Sequence, residues 1–454
     1  MNAAKEGKAL QRCIERSCGA KFEINKQIYS CPRCGGLLDV VVSLPNINGL
    51  ELKALWKSRL TSMDTHDQSG VWRFRELLPF PEESPIVTLL EGNTPIYDAP
   101  RSARYSGLKA LQVKHQGMNP TGSFKDTGIT VAITQAKLLG AKTVICASTG
   151  NTAASLAAYS ARADMQCVIL VPHGQVSHAK LSQSLDYDAT VLEIDGNFDD
   201  AMQLVSELAE DTSIYLMNSI NPFRIEGQKT VAAELLEQTD WQVSEHVVVP
   251  GGNLGNSSAL GKGFAELLEL GLIDRMPRLS VVQADGAAPF ARLLSNSTIE
   301  QLRREALVPV KDPQTLATAI KIGAPVSWKK SARAVIDSGG WVVSVSEQEI
   351  ADAKAIIGRD GIGCEPASAT TVAGLKKLVA TGRIDPAESA IAILTGHALK
   401  DTDYTIKYHR EALFTHDRAR ARSKEERHIR GTFANSPKRV KASKEAILRV
   451  IEHM

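Results

Sequence analysis

The stretch HQGMNPTGSFKDTG, His115 to Gly128, turns and then enters a helix. Asn-Pro-Thr-Gly is turn chemistry, Ser123 is a candidate N-cap, and the continuation ITVAITQAKLLG has helical apolar spacing. Lys125 then falls in the first turn. There the partial positive charge of the helix end disfavours an ammonium and helps free the amine for attack on a carbonyl. Taken alone, a lysine beside an aspartate is more often a surface ion pair. The sequence around it reverses that balance.

Outward from this point, β-branched runs alternate with Ala/Leu-rich helical ones: LQVKHQ, the Lys125 helix, TVICAS, AASLAAYSARA, CVILVP, HAKLSQSL and ATVLEID. A second series runs through TVAAELLEQ, HVVVPGG, ALGKGFAELLELG, LSVVQAD, WVVSVS, QEIADAKAIIG, TVAGLKKLVATG and AIAILTG. This rhythm predicts an α/β fold with two lobes, mostly parallel twisted sheets flanked by helices, and a cleft between them.

Three further elements carry chemistry. In VVVPGGNLGNSSALGKG a strand meets a glycine-rich turn and then a helix. There the amides of Gly252, Asn253, Leu254, Gly255 and Asn256 can face a phosphate. The pattern is neither G-x-G-x-x-G nor the lysine-bearing P-loop, which disfavours a dinucleotide or a nucleoside triphosphate. In CASTGNTAAS, the turn of Ser148, Thr149, Gly150, Asn151 and Thr152 suits a carboxylate, and Asn151 can bond a phenolic oxygen; ordinary capping is the bland alternative. In AIAILTGHALKD a strand ends at Thr395, where α/β folds bind ligands and a hydroxyl can meet a ring nitrogen.

Taken with LLEGNTPIYDA, LMNSINPFRIEGQKT and LATAIKIGAPVSW, these stretches resemble in order the fold-type II pyridoxal-phosphate enzymes, the tryptophan synthase β-like group, and within it the threonine synthases, over Leu89 to Asp401. The resemblance implies that Lys125 holds pyridoxal 5'-phosphate as a Schiff base, with Phe124 alongside. Asn151 would meet the 3-hydroxyl, Gly252 to Asn256 the cofactor phosphate, and Thr395 the pyridine nitrogen. It also implies that Ser148, Thr149 and Thr152 grip the substrate carboxylate and that Asn218, Ser219 and Arg224 lie near the substrate phosphate, where a guanidinium fork is apt. Freed Lys125 would act as general base and acid. Thr127, Ala398 and Lys321 stand where the family commonly has Arg, Gly and Arg, and bear on substrate more than on cofactor.

Cys13, Cys18, Cys31 and Cys34 form C-x4-C-x12-C-x2-C, with CPRCGG a typical zinc knuckle. Four thiolates suit a closed, structural tetrahedral zinc; reduced free cysteines or a degenerate ribbon are the alternatives. Cys146, Cys167 and Cys364 read as buried small residues, and His115 and His397 flank the site with structural roles as expected as catalytic ones.

With 454 residues and a formal net charge of +2, the chain has room for at least two packed units and no electrostatic bias toward nucleic acid or membrane; a small-molecule partner is expected. The absence of an apolar leader or of a roughly 18- to 20-residue apolar run predicts a soluble cytoplasmic protein. The expected organisation is a zinc-ribbon-like module over 1–42, a catalytic region over 43–410 and a basic extension over 411–454. That extension reads as solvated, with one amphipathic helix at its end. The family resemblance adds a homodimer. It implies threonine synthesis from O-phospho-L-homoserine, against two alternatives. One is β-replacement or dehydration of phosphoserine, serine or threonine, cysteate synthase-like for instance; the other is a non-catalytic binding protein using the ribbon and tail.

Overall fold

The computed structural model describes residues 9–44, 47–174, 178–211, 213–296, 306–415 and 427–453. Thirteen strands among them form three sheets. The small N-terminal sheet is antiparallel, in the order β2 (Lys21–Glu23), β1 (Ala9–Cys13), β3 (Leu38–Val42). A four-stranded parallel sheet runs β8 (Thr190–Ile194), β7 (Gln166–Pro172), β6 (Thr143–Ala147), β9 (Ile214–Leu216). The largest sheet runs β12 (Val342–Val345), β11 (Arg278–Ala284), β10 (His246–Pro250), β13 (Ala390–Leu394), β5 (Gln112–His115), β4 (Ile96–Asp98), parallel except for β4 at its edge.

Side-chain alternation explains the layers. Val144 and Cys146 of β6 pack with Ile129, Ile133 and Leu156 from the helices Lys125–Leu138 and Asn151–Ala163. Ile145 and Ala147 face the opposite side, against Ala201 and Val205 of the helix Phe198–Leu208. In the large sheet Val247, Val249, Ile391 and Ile393 face the helices Phe223–Gln238 and Gly255–Glu269, while Val248, Ala392 and Leu394 face Pro366–Ala380. All five residues of β10 and of β13 are buried, as strands covered on both faces require.

Three strands of three residues each, β2, β4 and β9, are too short to show a period in the sequence. VWRFRELL forms a 3-10 helix, Trp72–Leu77. The chain after Tyr408 returns to the body: Leu413 and Ile429 are buried beside Tyr404 and Tyr408, and Phe433 meets Tyr105 edge-on at 5.9 Å. The terminal helix Lys444–Glu452 buries no residue and exposes Ile447, Leu448 and Ile451.

The N-terminal sheet is firmly docked. Ala9, Val40 and Val42 join the core that includes Ile129 and Val131. Lys262 reaches the Val40 carbonyl, Asp39 and the buried Glu226, and Lys330 donates to the Leu38 carbonyl at 2.6 Å. No helix among the described residues is long and apolar enough to cross a membrane.

Candidate active site

Lys125 opens its helix, and Phe124, not Ser123, occupies the cap position without a side-chain bond. The Ser123 hydroxyl still accepts the Lys125 amide, at 3.4 Å. What places the lysine is a backbone junction: the Phe124 amide donates to the Thr395 carbonyl (2.9 Å), and the His397 amide to that of Gly122 (2.9 Å). The Lys125 Nζ lies 4.1 Å from the centroid of the Phe124 ring. Burial and the Arg224 cation push its pKa down to about 7, against the supporting Glu365 carboxylate. Asp126 forms no surface ion pair with it. That carboxylate is fully buried, accepts from the Thr121 amide (2.7 Å) and hydroxyl (2.6 Å), and is pushed up to about 6 by burial.

The turn Ser148–Thr152 is half-buried along the cleft, with the Gly150 amide donating to the Ser148 hydroxyl at 3.3 Å. Thr149, Gly150 and Asn151 line a cavity of about 530 Å³ together with Gly122, Glu365, His397 and Lys400. The Asn151 Nδ2 donates to Glu365 Oε2 (2.9 Å), and the Thr395 hydroxyl donates to Glu365 Oε1 (3.0 Å). Glu365 thus joins the two residues expected to meet opposite edges of an aromatic ring. The sequence reading missed it. Its signal was Glu-Pro at the start of an Ala-rich helix: Glu365 sits at the cap position of Pro366–Ala380 yet makes no capping bond, so its carboxylate is free to turn into the cleft. Gly396 is required beside it, because a Cβ there would lie 2.4 Å from the Glu365 carboxyl carbon. Burial raises the Glu365 pKa.

After β10, Leu254 takes a left-handed conformation (φ 63°) and turns the chain into the helix Gly255–Glu269. A Cβ on Gly252 would lie 3.2 Å from Ile320, so the missing side chain lets the backbone run close against that segment. Asn253 ties the turn down, its Nδ2 donating to Ser219 (2.7 Å) and its Oδ1 accepting the Val326 amide (2.9 Å). The buried Asn256 Nδ2 has no partner.

Of the three residues expected near the substrate phosphate, Asn218 has both amide ends engaged by the Ala147 backbone (3.0 and 2.9 Å), bracing the loop after β9 against the end of β6. Ser219 contacts Asn253. Arg224 is buried; its Nη1 donates to the Met217 carbonyl at 2.9 Å, its Nε has no partner, and burial lowers its pKa to about 10. His115 and His397 stack with ring centroids 6.1 Å apart, and burial drives His115 down to about 4, leaving a neutral ring.

The chain matches the family described as Pyridoxal-phosphate dependent enzyme over residues 87–396. It is 46% identical over 407 residues to a threonine synthase of Methanocaldococcus jannaschii, covering 89% of this chain and 96% of that protein. This chain belongs to the pyridoxal-phosphate-dependent enzymes. A second threonine synthase in the family, from Methanosarcina acetivorans, is 45% identical over 87% of this chain and 93% of its own. The fold is shared with a fungal L-serine ammonia-lyase from Rhizomucor miehei (TM-score 0.59, 18% identity, 71% of this chain and 98% of that one).

The residues present fit the family's cofactor. The Gly252 cradle and the unpartnered Asn256 amide suit its phosphate, Lys125 offers a near-neutral amine for its aldehyde, and Asn151 and Thr395 stand ready for its ring.

The N-terminal cysteines converge independently: the four sulfurs of Cys13, Cys18, Cys31 and Cys34 lie within 4.8 Å of one another. Cys13–Cys34 and Cys18–Cys31 are 3.5 and 3.7 Å apart, close to the roughly 3.8 Å edge of a tetrahedron with zinc–sulfur bonds of about 2.3 Å. Gly36 allows the approach, since its Cβ would lie 3.3 Å from both the Cys13 and Cys34 sulfurs. Cys146, Cys167 and Cys364 are buried thiols, as read from the sequence.

Proposed function

We propose that this protein is a threonine synthase, converting O-phospho-L-homoserine and water to L-threonine and phosphate. The observation that carries this reading is the buried Arg224, unpaired at Nε and close enough to Lys125 to depress its pKa. A guanidinium in a water-poor site beside the reactive amine suits a substrate that loses phosphate. The threonine synthase relatives support the same reaction.

When bound, pyridoxal phosphate supplies an electron sink for the substrate carbons. Lys125, with a pKa near 7, removes and returns protons at those carbons through its Nζ. Phe124 stacks beneath that amine, Asn151 and Thr395 orient the ring, and Gly252, Asn253, Leu254, Gly255 and Asn256 hold the cofactor phosphate. Ser148, Thr149 and Thr152 receive the substrate carboxylate, while Arg224 with Ser219 receives the phosphate that leaves and Asn218 braces their loop. Cys13, Cys18, Cys31 and Cys34 hold a structural zinc in the module 1–42. The region 43–410 carries catalysis, 411–454 is an appended basic segment, and the working form is a cytoplasmic homodimer.

The purified protein supplied with O-phosphohomoserine is expected to release phosphate and threonine in equal amounts, and Lys125→Ala to abolish both. A protein that shows the cofactor's visible absorption but turns over phosphoserine, serine or threonine instead would refute the substrate assignment. Light scattering and elemental analysis test the dimer and the zinc.

A further inference from the structure

Lys400 stands in the wall of the cleft cavity, in the 3-10 turn Ala398–Asp401 that follows β13. Among the described residues lining that cavity it is the one lysine or arginine. Its stem lies flat on Gly122, where an added Cβ would come within 3.0 Å of the Lys400 Cε. Burial lowers its pKa, with Asp126 and Glu365 opposing from a distance. Its ammonium donates to the Gln183 side-chain oxygen, an uncharged acceptor from the helix His178–Asp186 across the cleft. Gln183 has a second bond to hand, donating to the Thr121 carbonyl at 3.4 Å. Opposite Lys400 lies the turn of Thr149, Gly150 and Asn151, whose helix start has no side-chain cap at Gly150.

A half-buried ammonium satisfied by a neutral amide binds an oxyanion more strongly than it binds that amide. We propose that Lys400 receives the α-carboxylate of the substrate, displacing Gln183, and so determines specificity together with the Thr149–Asn151 turn. The inference rests on the threonine synthase reading. O-phosphohomoserine carries two anionic ends, and this chain offers two separate cations: Arg224 near the buried end of the site, and Lys400 in the cavity shared with the carboxylate-binding turn. Lys400 would also select for amino acids that keep a free carboxylate.

The experiment uses the full-length, cofactor-loaded enzyme as wild type, Lys400→Met, Lys400→Arg and Gln183→Ala. Turnover of O-phosphohomoserine by the wild type is recorded first, so that failure of the functional reading is seen separately. L-threonine binding, followed by the visible absorption of the cofactor, then isolates a ligand with a carboxylate and no phosphate. Loss of one charge-assisted contact predicts a threonine Kd and a substrate KM raised roughly 10- to 100-fold in Lys400→Met. Partial retention is expected in Lys400→Arg, with inhibition by inorganic phosphate unchanged. Gln183→Ala should leave both constants unchanged or lower. The proposal is overturned if Lys400→Met binds threonine within twofold of wild type, if only phosphate inhibition weakens, or if Gln183→Ala reproduces the loss. The last result would make Lys400 a structural tie between the lobes.

Discussion

Replacing Glu365 by Gln is expected to leave the fold as stable at neutral pH and yet slow the enzyme about 30-fold. The carboxylate accepts one hydrogen bond from Asn151 and one from Thr395, at 2.9 and 3.0 Å. Bonds to a charged group contribute about 1.5–3 kcal/mol each and neutral ones about 0.5–1.5, so downgrading both removes about 2 kcal/mol of orientation for the ring contacts. At 1.36 kcal/mol per decade this is roughly 30-fold in rate. Lys125 also loses the anion that supports its proton and becomes a weaker base. Stability behaves differently, because burial outweighs the hydrogen bonds and raises the Glu365 pKa. Folding therefore makes this proton harder to lose than in the unfolded chain. Wild-type stability falls as pH rises from the ordinary glutamate value through the raised one, and the amide removes that slope. Steady-state kinetics and thermal melts from pH 5 to 9 read both quantities. A melt several degrees lower at pH 7, or a kcat within threefold of wild type, would refute the reasoning.

Cofactor capture by the apo-protein should accelerate with pH and level off above about 7, because the attacking amine of Lys125 must be neutral; stopped-flow absorbance that keeps rising toward pH 10 would contradict the depressed pKa. Gly227→Ala would put a Cβ 1.9 Å from the Thr127 carbonyl, forcing apart the helices that carry Lys125 and Arg224. We expect a loss of about 1–3 kcal/mol in urea unfolding and a greater than tenfold loss in kcat/KM. Lys262→Met removes one cation from a cluster in which Glu226 keeps Lys229 and Asp39 keeps Lys330, which should lower stability by about 1.5–3 kcal/mol, partly restored when Glu226→Gln is added. Cys31→Ser should yield protein with little or no zinc by elemental analysis and a lowered melting temperature.

The alternation of buried strands and amphipathic helices was legible because central strands such as β10 and β13 are near-continuous apolar runs, and the site motifs were legible because glycine, hydroxyl and amide residues cluster at strand ends. Asn151 and Thr395 meet at one carboxylate, and the Phe124 amide beside Lys125 is held by the Thr395 carbonyl. Glu365 was overlooked because its one local sign, Glu-Pro at a helix start, equally suits an ordinary cap and does not tell that the carboxylate turns away to bridge residues from two other segments. Asn218 was readable as a site residue but not as a brace, because its partner Ala147 offers only backbone. The tail's composition suggested solvation, yet Leu413, Ile429 and Phe433 fold it back onto Tyr404, Tyr408 and Tyr105.

β13, the last of the described strands, is inserted between β10 and β5 in the middle of the large sheet, and its end carries the carbonyl that holds Phe124. A ribosome must therefore finish nearly the whole catalytic region before the reactive lysine has its anchor. Until then the two halves of the sheet have an open seam of unpaired backbone, with strong reason to find the late strand and equal reason to find a wrong one. Acquisition of the cofactor would then mark a chain whose seam has closed, making the visible absorption of this enzyme a record of completed folding.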